Sequence, residues 1–564
     1  MSNRGILRVV LAALLAFGSG PAIARAADGD LDPTFGAGGK VVTTFDLPAM
    51  GANAVALQAD GKIVAAGFTF DETANIDFGI ARYQTDGTLD ATFDFDGRAR
   101  VDFFGLFDTA NAVAIQPDGK IVVAGSAANS LGSDFALVRY NSDGSLDNSF
   151  DGDGKATTDF SGGGDIAYGV AIQPDGKIVA AGVTNQLATS ADVALARYNA
   201  DGSLDMSFGT GGRVQTDVFG EGEVAFALAL QPDGKILVAG LLTRTNSPTA
   251  DDSLLIRYGP SGVPDPAFGS GGVVITDFRE RGNGAGALTL QPDGKIVVAG
   301  GAADPLAPGQ NFAIARYRSN GTLDPDFDGD GRKTTDLPGF DESVRAVAVQ
   351  SDGKIVAAGF AANPDFTLDF ALVRYLPDGT EDSLFGMLGR VTTDFSERTD
   401  VAAGIALQPD GKIVVAGSAQ VVGFNPWFAL ARYLGSTAGA TCPRSTGFWK
   451  SHPDAWPVSS LILGVQTYTD TELRALLSSP VKGDASLLLA AELIAAKLNV
   501  ASGVSFSDLA SAIGEADALL GTFAGKLPYR VSPSTEQGRA MIRAAGKLGR
   551  LNNRRSAPGC GRPE

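Results

Sequence analysis

The stretch that decides the fold reads Gln116-Pro117-Asp118-Gly119-Lys120-Ile121-Val122-Val123-Ala124-Gly125. A proline at the second position and a glycine able to adopt positive φ at the fourth predict a tight turn between two antiparallel strands. The Asp-Gly-Lys string of this turn recurs at a step of 57 to 60 residues, with its lysines at Lys62, Lys120, Lys177, Lys235, Lys295, Lys354 and Lys412. Self-similarity at a fixed step predicts a tandem repeat of one supersecondary unit.

Two further signals keep the same step. An Arg-Tyr pair closes a short apolar run in each copy, from Arg82-Tyr83 to Arg432-Tyr433. An aspartate stands three residues before a phenylalanine, usually as L-D-x-x-F, at Asp32, Asp90, Asp147, Asp205, Asp265, Asp324 and Asp382. An arginine on an apolar strand face needs a carboxylate partner, so we expect seven structural Arg–Asp pairs. A ring of arginine sites for anions is the alternative, and the Asp-Gly-Lys lysines are interpreted as solvated turn residues.

Each repeat divides into four short runs rich in Val, Ile, Ala and aromatic residues. In the second copy these runs are Ala99–Phe103, Ala110–Ile115, Lys120–Ala124 and Phe135–Tyr140. Four antiparallel strands per repeat are typical of a propeller blade. The last copy lacks its L-D-x-x-F, which Leu31–Phe35 supply near the other end of the chain. We therefore predict a mainly β fold, a seven-bladed β-propeller over residues 27–435, rather than an open β-solenoid, which would need polar caps.

The repeated residues resemble a known family. Gln116–Gly125 followed by D-F-A-L-V-R-Y-N-S-D-G-S-L-D-N-S-F, residues 134–150, is similar to the delta-60 repeat found in tandem in secreted bacterial proteins. The resemblance covers residues 28–434 and implies the β-propeller of an exported protein. It implies no reaction.

Charge is distributed unevenly along the 564 residues, whose net charge is −19. Residues 27–435 hold 28 basic and 54 acidic side chains, whereas residues 436–564 hold 14 and 10. So acidic a surface repels phosphate groups and anionic headgroups, which argues against nucleic acid as a partner. Residues 1–26 combine early arginines, an apolar run and Ala24-Arg25-Ala26, and so predict a secretory signal peptide. We expect a periplasmic or extracellular monomer without membrane insertion.

The repeated β-strand pattern ends near residue 435. Residues 442–564 predict a small, mainly α domain after a linker at 436–441. Helices are predicted over Asp484–Leu498 and Ser507–Leu520, with capping boxes at Thr469–Glu472 and Ser534–Gln537. Cys442 and Cys560 predict one disulfide that clasps this domain, and two free thiols are the alternative.

The start of this domain, G-F-W-K-S-H-P-D-A-W-P at residues 447–457, resembles a module at the ends of exported bacterial proteins, and no activity is implied. His452 is the only histidine of the chain. We interpret His452 as a packed, hydrogen-bonded residue, with a catalytic role as the alternative.

Variation among the seven copies points to one face of the ring. The Q-x-D-G-K turns and the L-D-x-x-F links barely vary, and strand alternation places them together, so the variable connections crowd the opposite rim. Aromatic residues on that rim are candidates for stacking on a sugar or gripping a protein: Phe68, Phe70, Phe107, Phe366, Phe424 and Trp427. Scattered surface aromatics are the competing interpretation.

Three pairs of aspartates resemble fragments of calcium loops: Asp94 with Asp96, Asp151 with Asp153, and Asp328 with Asp330. Calcium takes six to eight oxygen ligands, and D-x-D-G supplies a few of them at short spacing. Other copies read G-T-G-G or G-S-G-G at the same place, so the fold does not need these carboxylates. A Ca²⁺ site here stands as a hypothesis beside the expectation of no cofactor.

The predicted propeller contains neither histidine nor cysteine. This composition excludes Ser-His-Asp, Cys-His and histidine-metal chemistry from residues 27–435. We therefore predict a secreted binding or scaffold protein, not an enzyme, whose variable rim engages an extracellular glycan or protein. The alternative is a propeller hydrolase or lyase that uses carboxylates in the central channel.

Overall fold

The protein is described here from a computed structural model of the chain. The structure describes residues 27–553, except 46–49, 71–74, 161, 186–190, 245–250, 279–282, 304–308, 338, 340, 423–424, 436–443, 454–455, 457, 459 and 502–506. The predicted signal peptide, the linker, Phe424, Cys442 and Cys560 lie outside the described residues. The signal peptide and the disulfide stay predictions.

Seven four-stranded antiparallel blades follow one another along the described chain. Each blade is built from strands that we call A to D in their order across the sheet. Blade 1 contains β2 (Met50–Leu57), β3 (Ile63–Phe70), β4 (Ile76–Tyr83) and β5 (Arg98–Val101); blade 2 contains β6 (Asp108–Ile115), β7 (Ile121–Asn129), β8 (Gly132–Tyr140) and β9 (Lys155–Thr158); blade 3 contains β10 (Gly164–Ile172), β11 (Ile178–Asn185), β12 (Ala191–Tyr198) and β13 (Arg213–Thr216).

The remaining blades repeat this order. Blade 4 contains β14 (Gly222–Leu230), β15 (Ile236–Thr243), β16 (Asp251–Tyr258) and β17 (Val273–Thr276); blade 5 contains β18 (Asn283–Leu290), β19 (Ile296–Ala303), β20 (Gln310–Tyr317) and β21 (Arg332–Thr335); blade 6 contains β22 (Glu342–Val349), β23 (Ile355–Ala362), β24 (Leu368–Tyr375) and β25 (Arg390–Thr393); blade 7 contains β26 (Asp400–Leu407), β27 (Ile413–Val422), β28 (Asn425–Tyr433) and β1 (Lys40–Thr43).

Blade 7 closes the ring with strands from the two ends of the propeller. Strand β1 pairs antiparallel with β28, in register from Lys40 opposite Ala431 to Thr43 opposite Phe428. Leu31 adds an isolated bridge to Tyr433. The N-terminal segment therefore covers the edge that β28 would otherwise expose, and the predicted seven-bladed β-propeller is confirmed.

The strands predicted for one repeat belong to two blades. The run Ala99–Phe103 corresponds to β5, which pairs with β4 and is the outermost strand of blade 1. The order of the four predicted runs places the Q-x-D-G-K turn between the second and third strands of a unit, and this placement is wrong, because the turn joins strands A and B of one blade. The D-G-x-L-D-x-x-F segment joins strands C and D, and the blade-to-blade link is a variable segment instead.

An arginine in each strand C fastens its own blade to the next. The predicted Arg–Asp pairs form in all seven blades, as in Arg139 Nε to Asp147 Oδ2 at 2.7 Å, with both side chains buried. The guanidinium also stacks over the phenylalanine of L-D-x-x-F, 4.7 Å from the Phe150 ring centre. Its Nη1 donates to the carbonyl of Ala200 in the following blade. We call this arrangement the blade latch.

The lysines of the Q-x-D-G-K turns also belong to the latches. Lys120 Nζ lies 2.9 Å from Asp147 Oδ2, and Lys412 Nζ lies 3.3 Å from Asp32 Oδ2. The interpretation of these lysines as solvated turn residues is wrong, because the ammonium group of each contacts a largely buried carboxylate that an arginine of the same blade also contacts. The turn itself forms as predicted, since Gln116 N donates to Lys120 O and Gly119 has φ of +86°.

Strand A of every blade carries a β-bulge, and this bulge explains why strand B has a glycine opposite it. In blade 2 the register shifts between Ala110 and Ala112, which leaves Asn111 unpaired. The bulged backbone presses on Gly125 of strand B, where a Cβ atom would lie only 1.8 Å from the Thr109 carbonyl oxygen. The glycine that ends V-V-A-G therefore permits the bulge, and the bulge turns one residue per blade toward the ring axis.

Tyrosines of strand C bond to threonines of the preceding blade at six of the seven junctions described. Tyr198 Oη lies 2.8 Å from Thr158 Oγ1, and both groups are buried. At the junction of blades 1 and 2, Val101 occupies the threonine position and the buried Tyr140 hydroxyl has no hydrogen-bond partner among the described residues. Burial raises the pKa of Tyr140 well above its usual value, so this hydroxyl stays protonated and unsatisfied.

This difference predicts opposite effects for one substitution at two equivalent sites. Tyr198→Phe should lower the free energy of unfolding by about 1 kcal/mol, because the change leaves Thr158 without its partner. Tyr140→Phe should be neutral or stabilising, because the change removes an unsatisfied buried hydroxyl. Urea unfolding of the two variants followed by circular dichroism measures both, and equal destabilisation would contradict the assignment.

The C-terminal domain is mainly α, as predicted. Its elements are α1 (Thr446–Ser451), β29 (Ser460–Leu463), β30 (Gln466–Thr469), α2 (Asp470–Ser478), α3 (Ala485–Ala501), α4 (Ser507–Gly521) and α5 (Glu536–Asn552). The capping box of α2 is present, with Glu472 Oε2 accepting from Thr469 N at 2.8 Å. The predicted start of α5 is one residue early, because Thr535 rather than Ser534 caps the helix. The β29–β30 hairpin has no counterpart in the prediction.

The G-F-W-K-x-H-P motif contributes Trp449 to the core of this domain. Trp449 is buried and donates from Nε1 to Asn499 Oδ1 at 3.0 Å, which ties α1 to α3. His452 stacks on Phe448 with ring centres 4.4 Å apart, and its Nδ1 lies 2.9 Å from Ser451 Oγ. His452 itself is exposed, so these contacts agree with the hydrogen-bonded part of the interpretation but not with packing in the core. None of the helices in the described ranges has the length and apolar character needed to span a bilayer.

Candidate functional site

Two opposite faces of the ring differ in character. Because strands alternate in direction, the A–B turns and C–D connections lie together on what we call the turn face. The B–C loops and the D–A links between blades lie on the other side, which we call the variable face. The residues that the repeats share on the turn face are those of the blade latches. Sequence differences among the repeats gather on the variable face and along the channel.

The aromatic residues predicted as a binding rim are distributed over several blades. Phe107 and Phe366 are 60% and 75% exposed, respectively. Phe68 and Phe70 are half-buried on β3 with ring centres 6.3 Å apart, and Trp427 packs against the core shared by blades 7 and 1. Phe107 and Phe366 are thus the most exposed of the described members of this set, while Trp427 also has a packing role.

One link on the variable face carries three exposed apolar side chains. Phe104, Leu106 and Phe107 are 52%, 41% and 60% exposed within residues 102–107, between β5 and β6. Phe219 in the corresponding link before β14 is also exposed. The turn face exposes apolar residues as well, among them Phe95, so exposure alone does not distinguish the two faces.

The central channel is a cavity of about 860 Å³ lined chiefly by the A strands. Its wall receives the bulged residue of each blade: Asn53, Asn111, Tyr168, Phe226, Gly286, Arg345 and Ala403. The Asn53 amide donates to the carbonyl of Ala110 in the next blade at 2.9 Å. Tyr168 and Phe226 contact each other, and the Arg345 guanidinium lies 5.5 Å from the Phe360 ring centre.

These channel residues were missed by the sequence analysis, although a signal exists. The A strands read A-N-A-V-A-L, A-N-A-V-A-I, A-Y-G-V-A-I and A-F-A-L-A-L in the first four blades, so one position varies freely inside a conserved frame. Within the described part of the chain, the channel wall carries a single carboxylate, Asp251. The paired carboxylates of the predicted alternative enzyme do not meet there.

The aspartates of the predicted calcium loops lie on the turn face, in C–D connections. Asp94, Asp151 and Asp328 adopt positive φ, and the second aspartate of each pair closes a turn. Asp96, for example, accepts from Arg98 N at 2.8 Å and from Arg98 Nη2 at 2.7 Å. In the regions that the structure describes, none of these six aspartates belongs to a group of three carboxylates close enough to share one ion.

A different set of carboxylates does converge, beneath the variable face. The sets are Asp77 with Asp102 and Asp108, Asp134 with Asp159 and Asp165, Asp192 with Asp217 and Glu223, and Asp369 with Asp394 and Asp400. In each set one oxygen per residue lies within 4.8 Å of the others. We call these sets the acidic triads. Each takes its residues from the start of strand C, the end of strand D and the start of strand A in the following blade.

The strand A carboxylate of each triad is fully buried, and this environment disfavours its charged form. Desolvation raises the pKa of Asp108 and of Asp400 to about 7, and that of Glu223 to about 8, with further increases from the neighbouring carboxylates. A hydrogen bond from the Phe103 backbone N–H to Asp108 Oδ2, 2.7 Å long, acts in the opposite direction. The triads escaped the sequence analysis because the first acid of each lies 25 residues before the second, although the second and third acids are only six residues apart in all four.

Comparison with known proteins places the propeller in a family. The family model described as "Domain of unknown function (DUF5122) beta-propeller" matches residues 58–93, 116–150, 173–208, 231–268, 291–327, 350–385 and 408–435. The propeller belongs to the DUF5122 family. Each match runs from the Q-x-D-G-K turn through strands B and C to the L-D-x-x-F segment, except that the last stops after strand C. The DUF5122 match does not extend to residues 436–564, whose resemblance to a C-terminal module stays a prediction.

Solved structures similar to the DUF5122 propeller share little sequence with it. Polysaccharide lyase Uly1 is 12% identical with a TM-score of 0.40, over 68% of this chain and 90% of that one. A Dyadobacter fermentans protein of unknown function is 12% identical with a TM-score of 0.35, over 70% and 97%. Chaetomium thermophilum Sqt1 bound to the N-terminus of ribosomal protein L10 is 13% identical with a TM-score of 0.37, over 69% and 98%. No curated protein matches the chain.

Proposed function

We propose that the chain is a secreted, non-enzymatic binding protein whose variable face engages an extracellular glycan or protein. The observation that carries this proposal is the apolar link of residues 102–107. It exposes Phe104, Leu106 and Phe107 on the face where the repeats differ from one another. A rigid ring supporting irregular loops is an arrangement that often places recognition residues on the loops. Export is part of the proposal and rests on the signal-peptide pattern at residues 1–26.

Two features support binding over catalysis. Glycoside hydrolysis requires a pair of accessible carboxyl groups on either side of the scissile bond. In the described residues the channel wall offers Asp251 alone, and each set of carboxylates that does converge combines one exposed member with a fully buried one. The channel instead presents Tyr168, Phe226 and Arg345, whose ring faces and guanidinium suit the binding of a sugar or of an anionic group.

A screen of the full chain against arrayed polysaccharides and bacterial surface glycans tests the proposal. For any glycan retained, Phe107→Ala should weaken binding by about 10-fold or more, because stacking on an aromatic ring is lost. Phe95→Ala is the matched control, since Phe95 is 93% exposed on the turn face and should leave binding unchanged. Equal losses in the two variants would place the site elsewhere.

The same screen distinguishes the enzymatic alternative. Each retained polysaccharide is incubated with the chain, and the mixture is assayed for new reducing ends and for unsaturated uronate absorbance. Steady product formation that scales with protein concentration would overturn the non-enzymatic proposal. Binding without product supports it.

A further inference from the structure

The acidic triads repeat one geometry at four junctions between blades. Two carboxylates come from the C and D strands of one blade. The third comes from the beginning of strand A in the next blade, as in Asp77, Asp102 and Asp108. One oxygen from each of the three lies within 4.8 Å of the other two. Three formal negative charges in such a space repel strongly unless a cation or protons compensate them.

The buried carboxylate of each triad has oxygen atoms that no protein donor satisfies. Asp108, Asp165 and Asp400 are 0% exposed, and Oδ2 of each accepts a backbone N–H while Oδ1 has no hydrogen-bond partner in the described residues. Glu223 is equally buried, and among the described residues neither of its carboxylate oxygens has a hydrogen bond of ordinary geometry, although the nearby Val218 backbone N–H acts to lower its pKa. Buried acceptors without donors are rare, and an ion is one of the groups that satisfy them.

The protein groups that reach the triads neutralise them only in part. Arg100 Nε lies 3.4 Å from Asp77 Oδ2, although the arginine side chain is half exposed. Gln215 donates to Asp192 Oδ2 at 2.6 Å, and Asn129 donates to Asp134 Oδ2 at 2.8 Å, both without charge. The partners named here thus place one partly exposed guanidinium beside one triad and neutral amides beside two others.

The other three junctions act as internal controls because their chemistry differs. At the junction of blades 4 and 5, Asn283 replaces the buried acid, and Arg244 pairs with Asp252 at 2.6 Å. At the junction of blades 5 and 6, Asn311 takes the place of the first aspartate.

At the closing junction of blades 7 and 1 the three positions are Trp427, Thr44 and Met50, and Met50 Sδ accepts from Phe45 N in place of a carboxylate oxygen. This junction carries no acid at any of the three positions. Its backbone N–H is nevertheless satisfied, so the fold itself does not require the carboxylates.

We propose that each acidic triad binds one Ca²⁺ ion that bridges neighbouring blades beneath the variable face. Carboxylates are the hard oxygen donors that Ca²⁺ prefers, and its six to eight ligands are reached with bidentate carboxylates, carbonyl groups and water. The ion neutralises the buried acids and links strands C and D of one blade to strand A of the next. These sites differ in residues and in face from the turn-face D-x-D-G pairs.

Metal analysis and thermal unfolding of the full chain test this proposal. The chain is stripped with chelator, and Ca²⁺ is added in calorimetric titration and in unfolding scans. We expect up to four ions per chain and a rise in the unfolding midpoint of about 10 °C or more at 1 mM Ca²⁺. The absence of uptake and of any midpoint shift would overturn the proposal, as would tighter binding of Mg²⁺ or Zn²⁺ than of Ca²⁺.

The repeats themselves suggest a variant, because another junction of the ring carries asparagine where the triads have their buried acid. Asp108→Asn places at the blade 1–2 junction the amide that Asn283 provides at the blade 4–5 junction. This variant should bind one ion fewer and show a smaller Ca²⁺-induced midpoint shift. Asp96→Asn, on the turn face, is the matched control and should keep the full stoichiometry. Loss of ions in Asp96→Asn with none in Asp108→Asn would overturn the assignment to the triads.

Discussion

Asp32→Ala should lower the free energy of unfolding by about 3 to 5 kcal/mol, because it leaves the buried Arg432 guanidinium without its carboxylate. Arg432 Nε lies 2.9 Å from Asp32 Oδ2, and both side chains are almost fully buried. Asp32 also receives Lys412 at 3.3 Å and the Thr34 hydroxyl at 2.7 Å. One residue near the N-terminal end thus holds the last strand C, 400 positions away.

This closing latch differs from the other six because its partners come from the two ends of the propeller. Asp147→Ala should lower the free energy of unfolding by a similar amount. The four strands of its blade, however, are consecutive in the chain, so no strand edge depends on this residue. Asp32→Ala should in addition loosen β1 from β28 and expose a strand edge, which favours exchange of the segment between molecules.

Urea unfolding and size-exclusion chromatography measure the two effects. Asp30→Ala is the control, because Asp30 is exposed and its side chain accepts only the Ala27 backbone N–H at 2.6 Å among the bonds described. A change within about 0.5 kcal/mol is expected for this control. A loss below about 1 kcal/mol in Asp32→Ala would contradict the closing role of this residue.

Acid should unfold the propeller cooperatively between about pH 4 and pH 2. Burial alone would raise the pKa of Asp90, but hydrogen bonds from Thr92 and Lys62 and the charge of Arg82 outweigh it and lower the pKa to about 2. The pKa of Asp32 falls to about 2 for the same reasons, with Thr34, Arg432 and Lys412 as partners. The latch aspartates of the other blades shift in the same direction.

The sign of the effect follows from these lowered values. The unfolded chain binds protons near pH 4, whereas the folded latches resist protonation until about pH 2, so stability is present above pH 4 and is lost below it. One such shift corresponds to about 2 kcal/mol, and several together reach the total stability of an ordinary domain. Circular dichroism against pH measures the transition. Asp32→Asn should unfold at higher pH than the unsubstituted chain, and a propeller that stays folded at pH 2 would contradict the account.

Repeated residues carried most of the fold prediction. Seven copies of Q-x-D-G-K, Arg-Tyr and L-D-x-x-F specify turns, paired charges and ring closure through short-range rules, and each was found where the spacing placed it. The blade boundaries were wrong because run length and composition do not reveal which neighbour a strand pairs with. Ala99–Phe103 looked like the first strand of its repeat, yet its partner is β4 of the preceding blade.

Site prediction was weaker for a related reason. The acidic triads join residues from three places in two blades, and no local pattern links Asp77 with Asp102 and Asp108. The D-x-D-G pairs stood out because their members are adjacent, but adjacent aspartates also close turns, as Asp96 does. The lysines of the turns were misread because their carboxylate partner lies 27 to 30 residues further along the repeat, as Lys120 and Asp147 illustrate.

The bulge in each strand A has an evolutionary consequence. Seven backbone-identical positions, including Asn53, Tyr168, Phe226 and Arg345, face one shared space while the surrounding strands keep their pairing and their packing. A mutation at any of them alters the channel wall by one side chain and leaves the blade latches untouched. The ring therefore offers seven equivalent positions at which the channel wall can change while strand pairing and the blade latches stay the same, although neighbours such as Tyr168 and Phe226 would change together.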